Sequence, residues 1–255
     1  MRSDPPANTQ GMDPGSQGRR TGNACGLSLR GNPPWIKVCG VKQPEDILIC
    51  HEAGVDAVGL NFYPSSPRFI NQFELERASR SWPDSLAAVA LFVTPAMSEV
   101  WELIHRHPWI NLLQFHGLAN PPSEPPPRPW ILAGAAQSET GFAPISDLLS
   151  RCLTAGVGPC AVILDGHRPG MHGGTGQKAP WELVKTAEWP IPVILAGGIN
   201  PENAAEAMTV VKPWGLDIAS GVESAPGVKD RDAIFRLVAR ARQEISSGAS
   251  DRQFQ

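Results

Sequence analysis

The sequence predicts an α/β protein built as a single (β/α)8 barrel. After Pro34, a short apolar run, a loop with Gly or Pro and a helical stretch recur every few tens of residues. The apolar runs are almost continuous, which is typical of parallel strands covered on their outer face. Eight such runs in a chain of 255 residues fit one closed barrel, a fold that occupies roughly 200 to 250 residues.

The loops that follow the predicted strands favour a closed barrel over an open doubly wound sheet. An open doubly wound sheet would require a G-x-G-x-x-G loop after its first strand. Here Cys39 is followed by Gly40-Val41-Lys42, and a Walker A loop is also absent. The predicted strands are Ile36–Cys39, Ala57–Phe62, Ala87–Val93, Leu112–His116, Trp130–Ala136, Ala161–Asp165, Val193–Ala196 and Leu216–Ala219.

Helices are predicted between most of these strands. The first opens at Pro44 with Glu45 and Asp46 in its first turn, and it stops at Gly54. No helix is expected between the fourth and fifth strands, because the stretch Asn120–Pro129 contains six prolines. The remaining predicted helices are Ser98–His107 with Ser98 as its N-cap, Ile145–Ala155, Trp181–Ala187, Asn203–Val211 and Asp232–Glu244.

The chain is expected to have three parts. Residues 1–34 are rich in Pro, Gly, Ser, Asn and Gln and lack hydrophobic periodicity, so they are predicted to be a disordered N-terminal extension. The barrel is assigned to residues 35–246, and residues 247–255 form a C-terminal tail.

Composition and charge exclude several classes of protein. The net charge of −3, without a basic run beside aromatic residues, argues against nucleic-acid binding. The five cysteines are odd in number and none forms C-x-x-C, so neither a zinc site nor a disulfide framework is indicated. A membrane span and a signal peptide are not expected either. Free thiols favour a cytoplasmic location.

Polar or reactive residues stand at the ends of most predicted strands. In a (β/α)8 barrel the active site lies at the carboxyl ends of the strands, so these residues are expected to meet at one mouth. They are Cys39, Asn61, His116, Asp165, the pair Gly197-Gly198 and the pair Ser220-Gly221.

The loops after the seventh and eighth strands predict a phosphate site. Gly197 and Gly198 stand between a strand and a helix start, where backbone amides can approach a phosphate without side-chain hindrance. Ser220 and Gly221 offer further donors, and this pair of loops is the habitual phosphate site of such barrels. A single glycine loop could serve only to turn the chain, but the two loops together favour phosphate binding.

Cys39 and Asp165 are the candidate acid–base pair. Lys37, two residues before Cys39, is expected to share its face of the strand and to help lower the pKa of the thiol. An equally good interpretation of Cys39 is a small buried hydrophobic residue. Asp165 ends an apolar run, where a carboxyl group can hold a proton near neutral pH. Its alternative role is that of a capping residue.

Arg68 and His116 each have two interpretations. Arg68 lies on a loop stiffened by Pro64 and Pro67, where it can bind a carboxylate or phosphate or can be a solvated surface side chain. His116 follows the fourth strand, and a histidine there is more often structural than catalytic.

Several motifs between residues 35 and 240 resemble, in order, those of the phosphoribosylanthranilate isomerase family. They cover most of the predicted barrel, and so many matches in sequence are specific to this family. The motifs are Lys37–Gly40 with Pro44–Asp46, Gly59–Arg68, Gln114–Gly117, Leu164–Asp165 with Gly173–Gly176, Ala196–Asn203, and Asp217–Glu223 with Pro226–Asp230.

The resemblance implies an Amadori rearrangement in tryptophan biosynthesis, without a metal or organic cofactor. Cys39 is implied as the general base that removes the sugar C2 proton, and Asp165 as the general acid that protonates the ring oxygen. Arg68 is implied to hold the anthranilate carboxylate. The implied set is completed by His116 and Asp217 on the substrate and by Gly197, Gly198, Ser220 and Gly221 on its phosphate.

The same resemblance implies a small phosphorylated sugar as the partner, with neighbouring enzymes of the tryptophan pathway as further candidates. Neither nucleic acid nor a membrane is implied.

Three departures from the family pattern bear on substrate closure and turnover rate more than on the type of reaction. Gln177 replaces a basic residue, Ala179-Pro180-Trp181 stands where Phe-Asp-Trp is usual, and Leu132-Ala133 replaces a Lys-Ala pair. One alternative is a related sugar-phosphate barrel, such as the isomerase of histidine biosynthesis or indole-glycerol-phosphate synthase. The other alternative is a barrel that binds a phosphorylated ligand without converting it, and its only support is the Ala179-Pro180-Trp181 loop.

Overall fold

A closed barrel of eight parallel strands forms the centre of the protein. The computed structural model describes residues 34–135, 141–166 and 188–250, together with Trp181 and Val184, with side chains up to residue 243. The strands pair in chain order and β8 returns to β1, which confirms the predicted fold class. They are β1 Trp35–Cys39, β2 Ala57–Asn61, β3 Ala87–Val93, β4 Leu112–His116, β5 Trp130–Ala135, β6 Ala161–Asp165, β7 Val193–Ala196 and β8 Gly215–Ile218.

Helices pack around this barrel. Between β4 and β5 the structure describes residues 117–129 as irregular chain without a helix. Trp181 and Val184 are helical, and the rest of the helix predicted over Trp181–Ala187 lies outside the described residues. The helices with full bounds are α1 Pro44–Glu52, α2 Gln72–Ser79, α3 Met97–Arg106, α4 Ala143–Thr154, α5 Ala204–Val211 and α6 Arg231–Ser250.

Some predicted elements were wrong in detail. Helix α2 was not predicted, although Asn71 and Glu74 form a reciprocal capping box at its start. Ser98 is not a cap: α3 begins one residue earlier, after Ala96, and no side chain caps it. Helix α6 extends beyond the predicted end at Glu244, so residues 247–250 of the predicted tail are helical. The predicted extension, apart from Pro34, lies outside the described residues.

Side chains alternate between the barrel interior and the helix-covered outside, as the period of two along a strand requires. The part of the interior that lies away from the carboxyl mouth is apolar and includes Trp35, Val89, Leu112 and Ile131. Further towards the carboxyl mouth the inward positions become polar, and they include the buried side chains of Lys37, Gln114 and Asp217. The change from apolar to polar filling marks the region where the barrel can carry chemistry.

A short hairpin follows the barrel and was not predicted. After β8 the chain makes a 3-10 turn over Ser220–Val222 and then forms the strands β9 Glu223–Ala225 and β10 Val228–Lys229. Gly227 has φ +80°, a value that favours glycine in the turn between the two strands. The hairpin brings Glu223 opposite Lys229.

Candidate active site

The strand topology brings the predicted acid–base residues to one mouth of the barrel. Cys39 is the last residue of β1 and Asp165 is the last residue of β6. Because β7 and β8 lie between these strands in the closed barrel, the two side chains approach the mouth from different sides. Asp165 pairs in register with Ala196 of β7, directly before the glycine pair of the next loop.

Cys39 lies beside the buried ammonium group of Lys37. A Cβ at Gly59, on the neighbouring strand, would lie 2.9 Å from the Sγ atom of Cys39 and 3.0 Å from the Nζ atom of Lys37. Both groups therefore reach the same small space, and a side chain at position 59 would occupy it. The expected contact between Lys37 and Cys39 is present.

Lys37 lowers the pKa of Cys39 as predicted, but the pKa of the thiol is raised overall. Burial of the thiol raises its pKa and outweighs the opposing effect of Lys37, while the negative charge of Asp217 raises the pKa further. The Nζ atom of Lys37 also donates a hydrogen bond of 2.8 Å to Oδ1 of Asp217. Sequence spacing placed the cation correctly, but it did not identify the carboxylate that binds it.

Asp217 joins the last strand of the barrel to the first. Its ion pair with Lys37 is almost fully withdrawn from solvent, with exposures of 8% and 0% for the two side chains. Burial would lower the pKa of the ammonium, but Asp217 and Cys39 together more than compensate, with Asp217 the larger effect, and the pKa is raised. Lys37 therefore stays charged beneath the mouth, beside the thiol.

His116 contributes a neutral imidazole to the same mouth. It lies at the end of β4, and its Nε2 atom is 2.7 Å from Nε2 of Gln114, two residues earlier on the same face. Burial and the charge of Lys37 lower the pKa of His116 to about 4. Gln114 was not singled out as a site residue; the signal for it is the same two-residue spacing that places it below His116.

Arg68 lies against the loop that follows β1. Its aliphatic stem packs where a Cβ at Gly40 would be, and Gly40 has φ +76°. The guanidinium makes two hydrogen bonds to Glu223, from Nε at 2.8 Å and from Nη2 at 2.6 Å. These bonds raise the pKa of Arg68. The side chain is 22% exposed and packs on Gly40, so it is not a solvated surface arginine.

Asn61 shapes the loop that carries Arg68. Its Oδ1 atom accepts a hydrogen bond of 2.8 Å from the backbone N–H of Tyr63, and its Nδ2 atom donates to Oγ of Ser66. The same Oγ atom accepts a hydrogen bond from the backbone N–H of Arg68. The strand-end asparagine is therefore a loop-organising residue in this structure.

The loop after β7 has the open backbone expected of a phosphate site. Gly197 and Gly198 have φ values of +90° and +70°, and a Cβ at Gly198 would meet nothing within 4 Å. Asn200 and Asn203 organise the rest of the loop. Oδ1 of Asn200 accepts hydrogen bonds from the backbone N–H groups of residues 202 and 203, while Nδ2 of Asn203 donates to the carbonyl of Gly198.

The loop after β8 packs directly on the loop after β7. Ser220 and Gly221 form the 3-10 turn, and a Cβ at Gly221 would collide with the carbonyl oxygen of Ile199. Only a glycine fits at this position without backbone movement. The two predicted glycine loops are thus in contact, and they present their backbones at one edge of the mouth.

Two residues without a predicted role belong to the same mouth. Glu223 binds Arg68, and Lys229 binds both Glu223 and the carbonyl of Cys39. Both residues stand in the motif after β8, but their spacing alone does not reveal these long-range contacts. The predicted loop Gly173–Gly176 and the departures at residues 177 and 179–180 lie outside the described residues.

The described residues contain neither a cluster of metal-binding side chains nor a membrane-spanning helix. No group of three or more His, Cys, Asp or Glu side chains among them is arranged to hold a metal ion. Across the same ranges, every helix is too short or too polar to cross a membrane.

The fold and the position of the polar mouth define the class of protein: a (β/α)8-barrel enzyme, whose active site lies at the carboxyl ends of the strands. The model of the N-(5'phosphoribosyl)anthranilate (PRA) isomerase family matches residues 36–240. The chain belongs to this family, a family of isomerases.

Individual relatives agree with this assignment. N-(5'-phosphoribosyl)anthranilate isomerase from Azotobacter vinelandii is 38% identical over 207 residues, which cover 81% of this chain and 96% of that protein. The enzyme of Leptothrix cholodnii is 39% identical over 198 residues, covering 76% and 84%. The crystal structure of phosphoribosyl anthranilate isomerase from Thermotoga maritima is 31% identical with a TM-score of 0.67, covering 82% of this chain and 98% of that one.

A further solved structure carries a ligand. It is a phosphoribosyl anthranilate isomerase in complex with reduced 1-(o-carboxyphenylamino)-1-deoxyribulose 5-phosphate. Its identity to this chain is 28% and the TM-score is 0.64, with coverage of 82% and 98%.

Proposed function

We propose that this chain converts N-(5-phosphoribosyl)anthranilate into 1-(2-carboxyphenylamino)-1-deoxyribulose 5-phosphate in tryptophan biosynthesis. Family membership over residues 36–240 carries the proposal. The chain also spans 96% of the length of the Azotobacter vinelandii relative that bears this activity in its name. The reaction moves hydrogen within one molecule, so no oxidant or reductant is consumed.

The proposed chemistry begins at the ring oxygen of the sugar. Asp165 donates a proton to this oxygen while the nitrogen lone pair forms a double bond to C1, and the ring opens. Cys39, through the fraction of it that is thiolate despite its raised pKa, then removes the proton from C2 to give an enol–amine, which tautomerises to the aminoketose. The acid and the base stand on β6 and β1, on different sides of the mouth, which suits attack on two different atoms of one sugar.

Substrate recognition is assigned to the edges of the mouth. The proposed phosphate site is formed by Gly197, Gly198, Ser220 and Gly221, and its support is the contact between the two glycine loops. Arg68 is proposed for the anthranilate carboxylate, since its bonds to Glu223 use Nε and Nη2 and leave Nη1 for a ligand.

His116 and Asp217 complete the proposed substrate contacts. His116 acts as a neutral imidazole, because its pKa of about 4 leaves it uncharged near neutral pH. Asp217 acts with its Lys37 partner beneath the sugar.

The wider assignments follow from the same function. We propose a cytoplasmic location and a small phosphorylated sugar as the partner, with other enzymes of the pathway as candidate neighbours. The proposed barrel unit is residues 35–246, preceded by the N-terminal extension 1–34 and followed by the tail 247–255, whose residues 247–250 continue α6.

The fall of anthranilate fluorescence tests the reaction and its two catalytic residues. Purified protein mixed with freshly made phosphoribosylanthranilate is expected to quench the signal rapidly. Cys39→Ala and Asp165→Asn should each lower kcat by about 10²- to 10⁴-fold, the usual contribution of a general acid or base. Cys50→Ala, on the buried face of α1, and Asp147→Asn, in an exposed ion pair on α4, are the matched controls.

The outcomes separate the candidate functions. An undiminished kcat in Cys39→Ala would contradict the base assignment. A folded wild-type protein that binds the reduced product analogue without quenching would instead favour a barrel that binds its ligand without turnover, the function that the departure at residues 179–181 favours.

A further inference from the structure

Lys229 is a buried ammonium group with three acceptors. Its Nζ atom donates to the carbonyl of Cys39 at 2.7 Å, to Oε1 of Glu223 at 2.7 Å and to the carbonyl of Ala219 at 3.3 Å. The Lys229 side chain has no exposed surface. An ammonium has three donors, so each is used. The residue thus connects the end of β1 to the start of the loop after β8.

Glu223 extends this connection to Arg68. Its Oε1 atom accepts from both Lys229 and Nε of Arg68, and its Oε2 atom accepts from Nη2 of Arg68. The Glu223 side chain is 3% exposed. Although burial alone would raise the pKa of this carboxyl group, the two cationic partners hold it below its ordinary value. The carboxylate therefore remains ionised between two cations.

The hairpin after β8 is what brings these groups together. Glu223 begins β9 and Lys229 ends β10, and the two residues pair across the hairpin. A Cβ at Gly227, in the turn, would lie 2.9 Å from the carbonyl of Pro67, so the hairpin tip packs on the loop that carries Arg68. The hairpin therefore contacts three segments at the mouth of the barrel, which are the end of β1, the loop after β2 and the loop after β8.

We propose that Glu223 and Lys229 are positioning residues, which orient the Arg68 guanidinium and align it with Cys39 and the loop after β8. The inference rests on the proposed function, in which Arg68 receives the substrate carboxylate. A bidentate carboxylate fixes the plane of a guanidinium as well as its position. With that plane set by Glu223, Nη1 is directed before substrate arrives, and less conformational freedom is lost on binding.

The positioning role predicts a loss that is specific to the carboxylate of the ligand. The probes are the reduced product analogue and the same compound without its benzoate carboxylate. In the wild-type protein the carboxylate should strengthen binding at least tenfold. Glu223→Gln replaces one acceptor oxygen by an amide that donates, so it should reduce this ratio to about threefold or less. Inorganic phosphate, competing with either probe, should bind as in the wild type.

A second variant and a control keep the test independent of folding. Lys229→Met removes the ammonium that holds Glu223 and should reduce the same ratio, together with kcat, because the end of β1 loses its anchor. Glu45→Gln breaks an exposed ion pair with Arg77 and should change neither quantity. Thermal unfolding of each protein reports whether the fold is retained.

Two negative results have different meanings. If the wild-type protein does not distinguish the two probes and does not turn over substrate, the proposed function fails. If the wild type distinguishes them and a folded Glu223→Gln or Lys229→Met retains the full ratio, the function stands and the positioning role is refuted.

Discussion

At the scale of single residues, Cys39 combines a position suited to catalysis with a pKa that is not lowered. Its place at the end of β1 and its neighbour Lys37 were both predicted from spacing. The direction of its pKa shift was not, because burial and Asp217 outweigh the cation. Spacing along one strand identifies neighbours on that strand, whereas Asp217 is 180 residues away in sequence.

The raised pKa predicts that Cys39 is a thiol in the free protein near neutral pH. Thiolate absorbance at 240 nm, taken as the difference between the wild type and Cys39→Ala, should titrate with a midpoint above about 8.5, the ordinary value for a cysteine. The thiol should therefore persist to higher pH than in an ordinary cysteine, since a raised pKa for an acid favours its neutral form. A midpoint near 7 would contradict the dominance of burial over Lys37.

At the scale of elements, the loops after β7 and β8 act as one unit. Their glycines were predicted as a phosphate site from two separate motifs. The packing of Gly221 on the carbonyl of Ile199 joins them, a contact that neither motif contains. Helix α2 and the hairpin β9–β10, in contrast, are elements that were not predicted. The capping box at Asn71 is a local signal in the sequence and could have predicted α2. The pairing of Glu223 with Lys229 has no comparable signal, because the strand β10 is only two residues long.

Gly221→Ala is expected to weaken phosphate binding. The added methyl group would overlap the Ile199 carbonyl, so the two loops must separate and their backbone donors no longer converge. We expect the affinity for inorganic phosphate and the reduced product analogue to fall at least tenfold by isothermal titration calorimetry, a loss of about 1.4 kcal/mol or more.

Gly158→Ala is the matched control for this substitution. The position precedes β6 at the opposite end of the barrel, and the nearest atom to its Cβ would be Cδ2 at the flexible end of Leu153, at 2.7 Å. Unchanged phosphate affinity in Gly221→Ala, with the control also unchanged, would show that the loops do not form a common site.

At the scale of the whole molecule, the ion pair between Lys37 and Asp217 lies at the seam where the barrel closes. The two residues face each other in the register of β1 with β8, the first and last strands. Paired charges withdrawn from water add little net stability, but removing one partner leaves the other without compensation. The seam therefore depends on both residues being present.

Lys37→Met should destabilise the protein by about 3 to 5 kcal/mol in urea unfolding. The double variant Lys37→Met with Asp217→Leu should recover most of this loss, because no unpaired charge remains buried. Catalytic activity should not return, since the cation beside Cys39 is absent. Arg106→Met, which removes an exposed pair with Glu102 on α3, should change stability by less than about 1 kcal/mol.

An equal loss in the single and double variants would contradict this explanation. It would show that the methylene stem of Lys37 and its packing, rather than the uncompensated carboxylate, account for the destabilisation.

The sequence by itself determined the strands, their parallel order and the strand-end residues that face the mouth. This was possible because apolar runs and glycine loops are local signals that follow from burial and backbone sterics. Only the tertiary structure decided which charges pair. Asp217 reaches Lys37 through closure of the barrel, and Lys229 reaches Cys39 through a hairpin that folds back over the mouth. Burial and ion pairing depend on distances in space, and these arise only when strands far apart in sequence meet.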